Sequence, residues 1–294
     1  MCASAFFIFK LVLCRDLCRP PKLNLPSISA NPLNMVSFWH LFCLHKKFLV
    51  YNMVVRNLKI KYRRSMLGFL WTLLIPVSQA AIYYLVFQRI MKVQIDHYVP
   101  FILSGILFWV FLSNTLNEST ESLLANCHLL SKIPIPLQTF PWVASLSHGL
   151  NLFLALPVIF AVMLLNGIPL RPINGLVFGF ALEILIIAYS LGLILSVVMV
   201  YFRDLRYLLN LGLQLLMYGT PILYEEKMIP ESFRWLLWIN PVGTLFPSIH
   251  QVLIEGTWPQ PSALLITLGW TVGLLLLARE VLSRALRKGV VEWL

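Results

Sequence analysis

Between residues 46 and 64 seven cations gather: Lys46, Lys47, Arg56, Lys59, Lys61, Arg63 and Arg64. On a helix, Asn52, Arg56, Lys59 and Arg63 fall at i, i+4, i+7 and i+11, which is one face. Tyr51, Val54, Val55, Leu58 and Tyr62 form the opposite face. Guanidinium and ammonium groups arrayed in this way bind phosphate, and Arg does so in bidentate fashion. Anionic lipid headgroups supply such phosphates at a bilayer surface. The two-faced pattern over 48–64 predicts an amphipathic helix lying in the membrane interface.

Other chemistry is missing from the sequence. There is no Gly-Lys pair, hence no P-loop, so the chain cannot hydrolyse ATP unaided. No H-E-x-x-H, G-x-S-x-G or paired-acid motif occurs. The five cysteines include no C-x-x-C pair, which speaks against a zinc or redox site, and no metal site is expected. The six histidines are scattered, and His148 reads as a packed or hydrogen-bonded residue rather than a ligand. Glu183 is the one acid inside an apolar segment, a functional candidate by default. It stands 20 residues before Arg203, which places it near the far interface, in reach of water.

These cations sit at the door of a chain that is 59% hydrophobic and 12% charged, where soluble domains carry about 25% charged residues. It reads as an integral membrane protein, and its spans must be helical because lipid offers backbone groups no partner. The net charge of +11 then reports topology rather than nucleic-acid binding, since no basic stripe is interleaved with aromatics in a polar domain. Met66 to Gln88 runs 23 residues without a charge. Further apolar runs predict spans near 66–90, 99–119, 141–165, 175–202, 207–224 and 261–279. A seventh stretch, Trp235–Ile254, is broken by Asn240-Pro241 and Pro247 and is expected to form short external helices that dip back into the outer leaflet. With six spans, fourteen cations fall inside and five outside, and both termini are cytoplasmic. Residues 1–45 form a tail, with Met35 an alternative start that would make the first 34 residues a start-site artefact.

Four blocks together resemble one family, the permease subunits of type-2 ABC exporters of polysaccharides and polyol phosphates, which serve O-antigen, capsule and teichoic acid export. They are YRRSMLGFLWTLLIP at 62–76, NCHLLSKIPIPLQTFP at 126–141, YFRDLRYLLNLGLQLLMYGTPILY at 201–224 and IPESFRWLLWINPVGTL at 229–245. The likeness covers about residues 46–290. It departs where the family shows Pro-Arg-Glu and this chain has Pro136-Leu137-Gln138, and where His250 stands in place of an external Arg.

The resemblance implies a six-span, all-α permease in a bacterial inner membrane. It is expected to be non-catalytic, to bind no cofactor, and to work as a homodimer with two copies of an ABC ATPase that uses ATP and Mg. It implies an ATPase-coupling loop carrying Glu121, Asn126, Leu129, Leu130, Lys132, Pro134 and Pro136, and an inner turn at Arg203, Asp204 and Arg206. The interface helix, with Arg56, Lys59, Lys61, Arg63 and Arg64, would admit the phosphorylated headgroup of a lipid-linked glycan. An external gate over 225–260 would include Trp235, Trp238, Asn240, Pro241 and His250. Sugars stack on aromatic faces, so Trp71, Tyr83, Tyr84 and Tyr218 are candidates for the channel wall. Competing readings are export of a smaller lipid or drug, a membrane-embedded transferase, and a non-transporting scaffold.

Overall fold

The computed structural model describes residues 44–63, 66–68, 70–93, 95–130, 132 and 135–290. Nearly all of the tail expected over 1–45 lies outside these residues, as do Arg64 and Pro134. Every secondary-structure element among the described residues is helical. The main elements are α1 (Leu44–Tyr62), α2 (Leu70–Tyr83, continued as a π turn over Tyr84–Ile90), α3 (Tyr98–Ala125), α4 (Cys127–Leu130) and α5 (Thr139–Leu165). They are followed by α6 (Leu176–Tyr201), α7 (Leu205–Gly219), α8 (Trp235–Ile239), α9 (Leu245–His250) and α10 (Pro261–Arg287).

Five helices among the described residues are long and apolar enough to cross a membrane: Leu70–Ile90, Tyr98–Ala125, Thr139–Leu165, Pro172–Tyr201 and Pro261–Arg287. The chain is a multi-pass membrane protein. The segment expected to be the fifth of six spans is shorter than anticipated. Its helix, α7, has 15 residues and ends at Thr220. At 1.5 Å per residue that is about 22 Å, against a hydrocarbon core of about 30 Å. The second span runs longer than expected, through Ala125. Along its polar end the hydroxyls are satisfied within the helix: Thr120 donates to Leu116 O at 2.6 Å and Ser122 to Ser119 O at 2.6 Å.

The central helix is α3, buried on nearly all sides over its first half. It packs between α5 and α6, with α2 against its outer flank, while α10 covers α6. Small residues set the closest approaches. A methyl group on Gly192 of α6 would stand 2.6 Å from Ser119 Cβ of α3, and one on Gly149 of α5 would stand 2.6 Å from Leu185 of α6. Close packing of small residues is what holds helices together where lipid supplies no hydrophobic driving force.

A second apolar cluster closes the end of the bundle where α1 sits. Val50, Met53 and Val54 of α1 bury against Leu123, Ile135, Phe140 and Val143. Each such side chain contributes about 1.5–3 kcal/mol when fully withdrawn from water. The buried face of α1 is therefore turned from the expected one, because Tyr51 is exposed while Val50 and Met53 are covered. The basic face is as the spacing predicts, with Asn52, Arg56, Lys59 and Arg63 all exposed.

Candidate functional site

At the α1 end three polar tethers join elements far apart in sequence. Arg56 Nη2 donates to Asn126 Oδ1 at 3.3 Å, tying α1 to the turn that ends α3. Arg206, in the first turn of α7, pairs with Glu121 of α3 at 3.1 Å. Asn57 Nδ2 of α1 donates to Glu118 Oε1 of α3 at 3.2 Å, and Glu118 Oε2 lies 2.7 Å from His148 Nε2 of α5. A carboxylate only accepts, so the imidazole N–H is the donor in this contact. The tether continues through Tyr62, whose hydroxyl donates to Asn151 Oδ1 of α5 at 3.3 Å and lies 2.7 Å from Thr72 Oγ1 of α2.

Beneath these tethers the bundle opens into two adjoining hollows. The smaller, about 240 Å³, lies between α1, α3 and α5 and is lined by Asn57, Lys61, Glu118, Ser147, His148 and Asn151. The larger, about 530 Å³, runs between α2, α3 and α5 and includes Trp71, Gln79, Tyr83, Trp109, Ser113 and Asn114. Lys61, His148 and Asn151 line both. The larger wall mixes aromatic faces with amides and hydroxyls. Of the aromatic candidates, Trp71 and Tyr83 line it. Tyr84 lies instead under the Arg89 guanidinium, 5.8 Å from its ring centroid, and Tyr218 is largely exposed on α7.

The segment expected to couple to an ATPase is a turn and a short helix. Asn126 closes α3, its Nδ2 donating to Ser122 O at 2.8 Å, and Leu129 and Leu130 of α4 are half-buried against the second apolar cluster. Lys132 is exposed and Pro136 half-buried. At the inner turn, Arg203 and Asp204 are exposed and Asp204 precedes the first residue of α7.

At the opposite end, α8 and α9 close over the bundle. Asn240 is buried and donates to Thr220 Oγ1 at 2.8 Å, while its Oδ1 accepts from Val242 N–H at 3.1 Å. It thus pins the segment to the end of α7. Pro241 follows, half-buried, and Trp235 and Trp238 are exposed. Trp270 of α10 donates to Trp238 O at 2.8 Å. His250 is buried against Phe101 of α3 with ring centroids 3.9 Å apart. Burial pushes its imidazole down to about 3, and its Nε2 has no hydrogen-bond partner. Glu183 does not simply meet water: it accepts a 3.3 Å hydrogen bond from Thr271 of α10.

Sequence reasoning missed Glu118. It lies inside the span expected over 99–119, where its bond to His148 joins α3 to α5. The signal available was the pair of polar positions Glu118 and His148 on adjoining helices, joined by a short connection. Among the described residues no group of three or more His, Cys, Asp or Glu is arranged to hold a metal ion.

Residues 49–254 match the family described as ABC-2 type transporter. The chain is 33% identical over 205 residues to the O-antigen export system permease protein RfbA of Klebsiella pneumoniae, covering 69% of this chain and 78% of that one. It is 30% identical over 237 residues to the protein of the same name in Myxococcus xanthus, covering 79% of this chain and 90% of that one.

Proposed function

The chain belongs to the ABC-2 type transporter family, and from that premise we propose that it is the permease subunit of an exporter carrying a lipid-linked polysaccharide across a bacterial inner membrane. The observation that carries the reading is the pair of adjoining hollows. They lead from the basic interface helix into the span bundle, in a chain whose relatives are O-antigen export permeases.

The charge asymmetry of the sequence sets the α1 end in the cytoplasm. In this topology α7, extended by residues 220–224, is a short fifth crossing, and α8 and α9 form the external gate segment. The chain has no P-loop, so ATP and Mg are used by a separate ATPase subunit, two copies per transporter. That subunit docks on the coupling segment at Asn126–Pro136. Its closure reaches α1 through the Arg56–Asn126 bond and α7 through Glu121–Arg206. Arg56, Lys59, Lys61, Arg63 and Arg64 hold the phosphorylated headgroup of the cargo at the inner surface. A second copy of the chain completes the path. The face it would cover is that of α2 and α7, where Leu74, Ile82, Leu208, Leu211 and Leu215 are exposed beside the larger hollow.

The test is a mild-detergent pull-down of the tagged chain from its native host, with every co-purifying protein identified. A stoichiometric P-loop subunit is expected. A clean preparation without one, repeated after crosslinking, returns the chain to the scaffold or membrane-enzyme readings.

A further inference from the structure

The two hollows share three wall residues, Lys61, His148 and Asn151. Two of the three are held by bonds that cross between helices: His148 to Glu118, and Asn151 to Tyr62. Tyr62 also holds Thr72 of α2. These bonds join α3 to α5 and α1 to α5 at the place where the two hollows meet.

We propose that Glu118–His148 and Tyr62–Asn151 are the inner gate of the transport path, and that they make the gate selective for cargo rich in hydroxyl groups. This rests on the export reading above. The selectivity follows from what each atom needs. His148 and Asn151 are buried. Parting their bonds costs the buried imidazole and amide a partner each, which is unfavourable. A passing sugar offers hydroxyls that donate to Asn151 Oδ1 and accept from His148 N–H, so the open gate exchanges one set of bonds for another. An apolar solute offers none, and the gate stays shut to it. Asn57 joins Glu118 to α1, two residues from the lipid-facing cation Lys59. Movement of the interface helix therefore pulls directly on the gate. Glu118 and Tyr62 act here as positioning residues, holding the groups that meet the cargo.

Accessibility tests the gate without transport. Ser113 lines the larger hollow and not the smaller. In a chain with its five cysteines replaced by serine, Ser113→Cys is exposed to a charged, membrane-impermeant maleimide in inverted vesicles containing the whole transporter. Slow labelling is expected with the gate intact. Glu118→Ala and Tyr62→Phe should each raise the rate several-fold, and the two together at least tenfold. Glu118→Gln keeps an acceptor oxygen for Asn57 and turns an N–H toward His148 Nε2, which accepts as the other imidazole tautomer, so it should stay within about twofold of the intact gate. Tyr62→Phe removes a single oxygen, so it remains informative even where Glu118→Ala lowers the amount of folded chain. Unchanged labelling in Tyr62→Phe and in the double variant overturns the gate. Surface glycan of the same strains is read separately. A gate that leaks as expected, in cells whose glycan does not depend on this chain, would keep the gate and overturn the export reading.

Discussion

Arg56 on the interface helix donates a 3.3 Å hydrogen bond to Asn126 at the end of α3, across 70 positions of sequence. An exposed bond of this kind adds little to stability, yet it joins the surface expected to face lipid to the segment expected to face the ATPase. Arg56→Ala should leave thermal stability within about 0.5 kcal/mol of the parent, as for other surface substitutions. It should lower export of surface glycan while ATP hydrolysis by the complex continues. Arg56, Lys59 and Arg63 changed together to Glu should abolish export. Normal glycan in that triple variant, with normal membrane insertion, would leave these cations as replaceable lipid contacts.

The Glu121–Arg206 pair allows a stricter test, because its charges can be exchanged. The pair is half-exposed, and such pairs contribute about 0.2–1 kcal/mol. Glu121→Arg alone and Arg206→Glu alone should each reduce export several-fold with little change in melting temperature. The double exchange should recover at least half of the parent's export. Failure to recover, with both chains folded, would show that the two residues act independently.

Lys132 is a cleaner probe of ATPase docking than the neighbouring leucines. Leu130 is half-buried against the second apolar cluster, so Leu130→Asp should cost about 1–3 kcal/mol as well as uncouple transport, and its loss of export is ambiguous. Lys132 is exposed. Lys132→Asp should weaken co-purification of the ATPase at unchanged melting temperature. Equal recovery of the ATPase from parent and variant would move the docking surface elsewhere.

His250 gives the protein a defined acid sensitivity. Its imidazole titrates near 6.5 when unfolded and near 3 when buried against Phe101. The unfolded chain therefore binds the extra proton between those values. The stability that neutral His250 contributes is whole above about pH 6.5 and is lost as the pH falls from there toward 3. His250 lines a hollow of about 460 Å³ at this end together with Asp96, Glu225, Glu226, Lys227, Arg234 and Glu255, so the parent's pH profile mixes several groups. The difference between parent and His250→Gln isolates one. The melting temperature of the parent should fall more steeply from pH 7 to pH 4 than that of the variant, and parallel profiles would contradict the burial of a neutral imidazole.

The membrane class and most of the spans were legible because lipid enforces long apolar runs and leaves helix as the backbone's solution. The basic face of α1 was legible for a similar reason, since charge must stay at the surface. Its buried face was read one position off, as Tyr51 shows, because several apolar residues compete for that side and tertiary packing chooses among them. Likewise the sequence alone places α7 among the spans by composition, while the helix stops at Thr220, which Pro221 holds in extended backbone and Asn240 bonds from 20 positions away. Glu118 was hidden for a different reason. It lies near the end of the span expected over 99–119, and nothing in that run shows that His148, 30 positions on, approaches it.

Depletion of the chain in its native host, followed by localisation of the lipid-linked polysaccharide, tests the central claim most directly. The account predicts that surface polysaccharide disappears, that finished lipid-linked polymer accumulates on the cytoplasmic side, and that the parent chain restores export while the Glu121→Arg variant restores several-fold less. Surface polysaccharide that persists unchanged after complete depletion would contradict it.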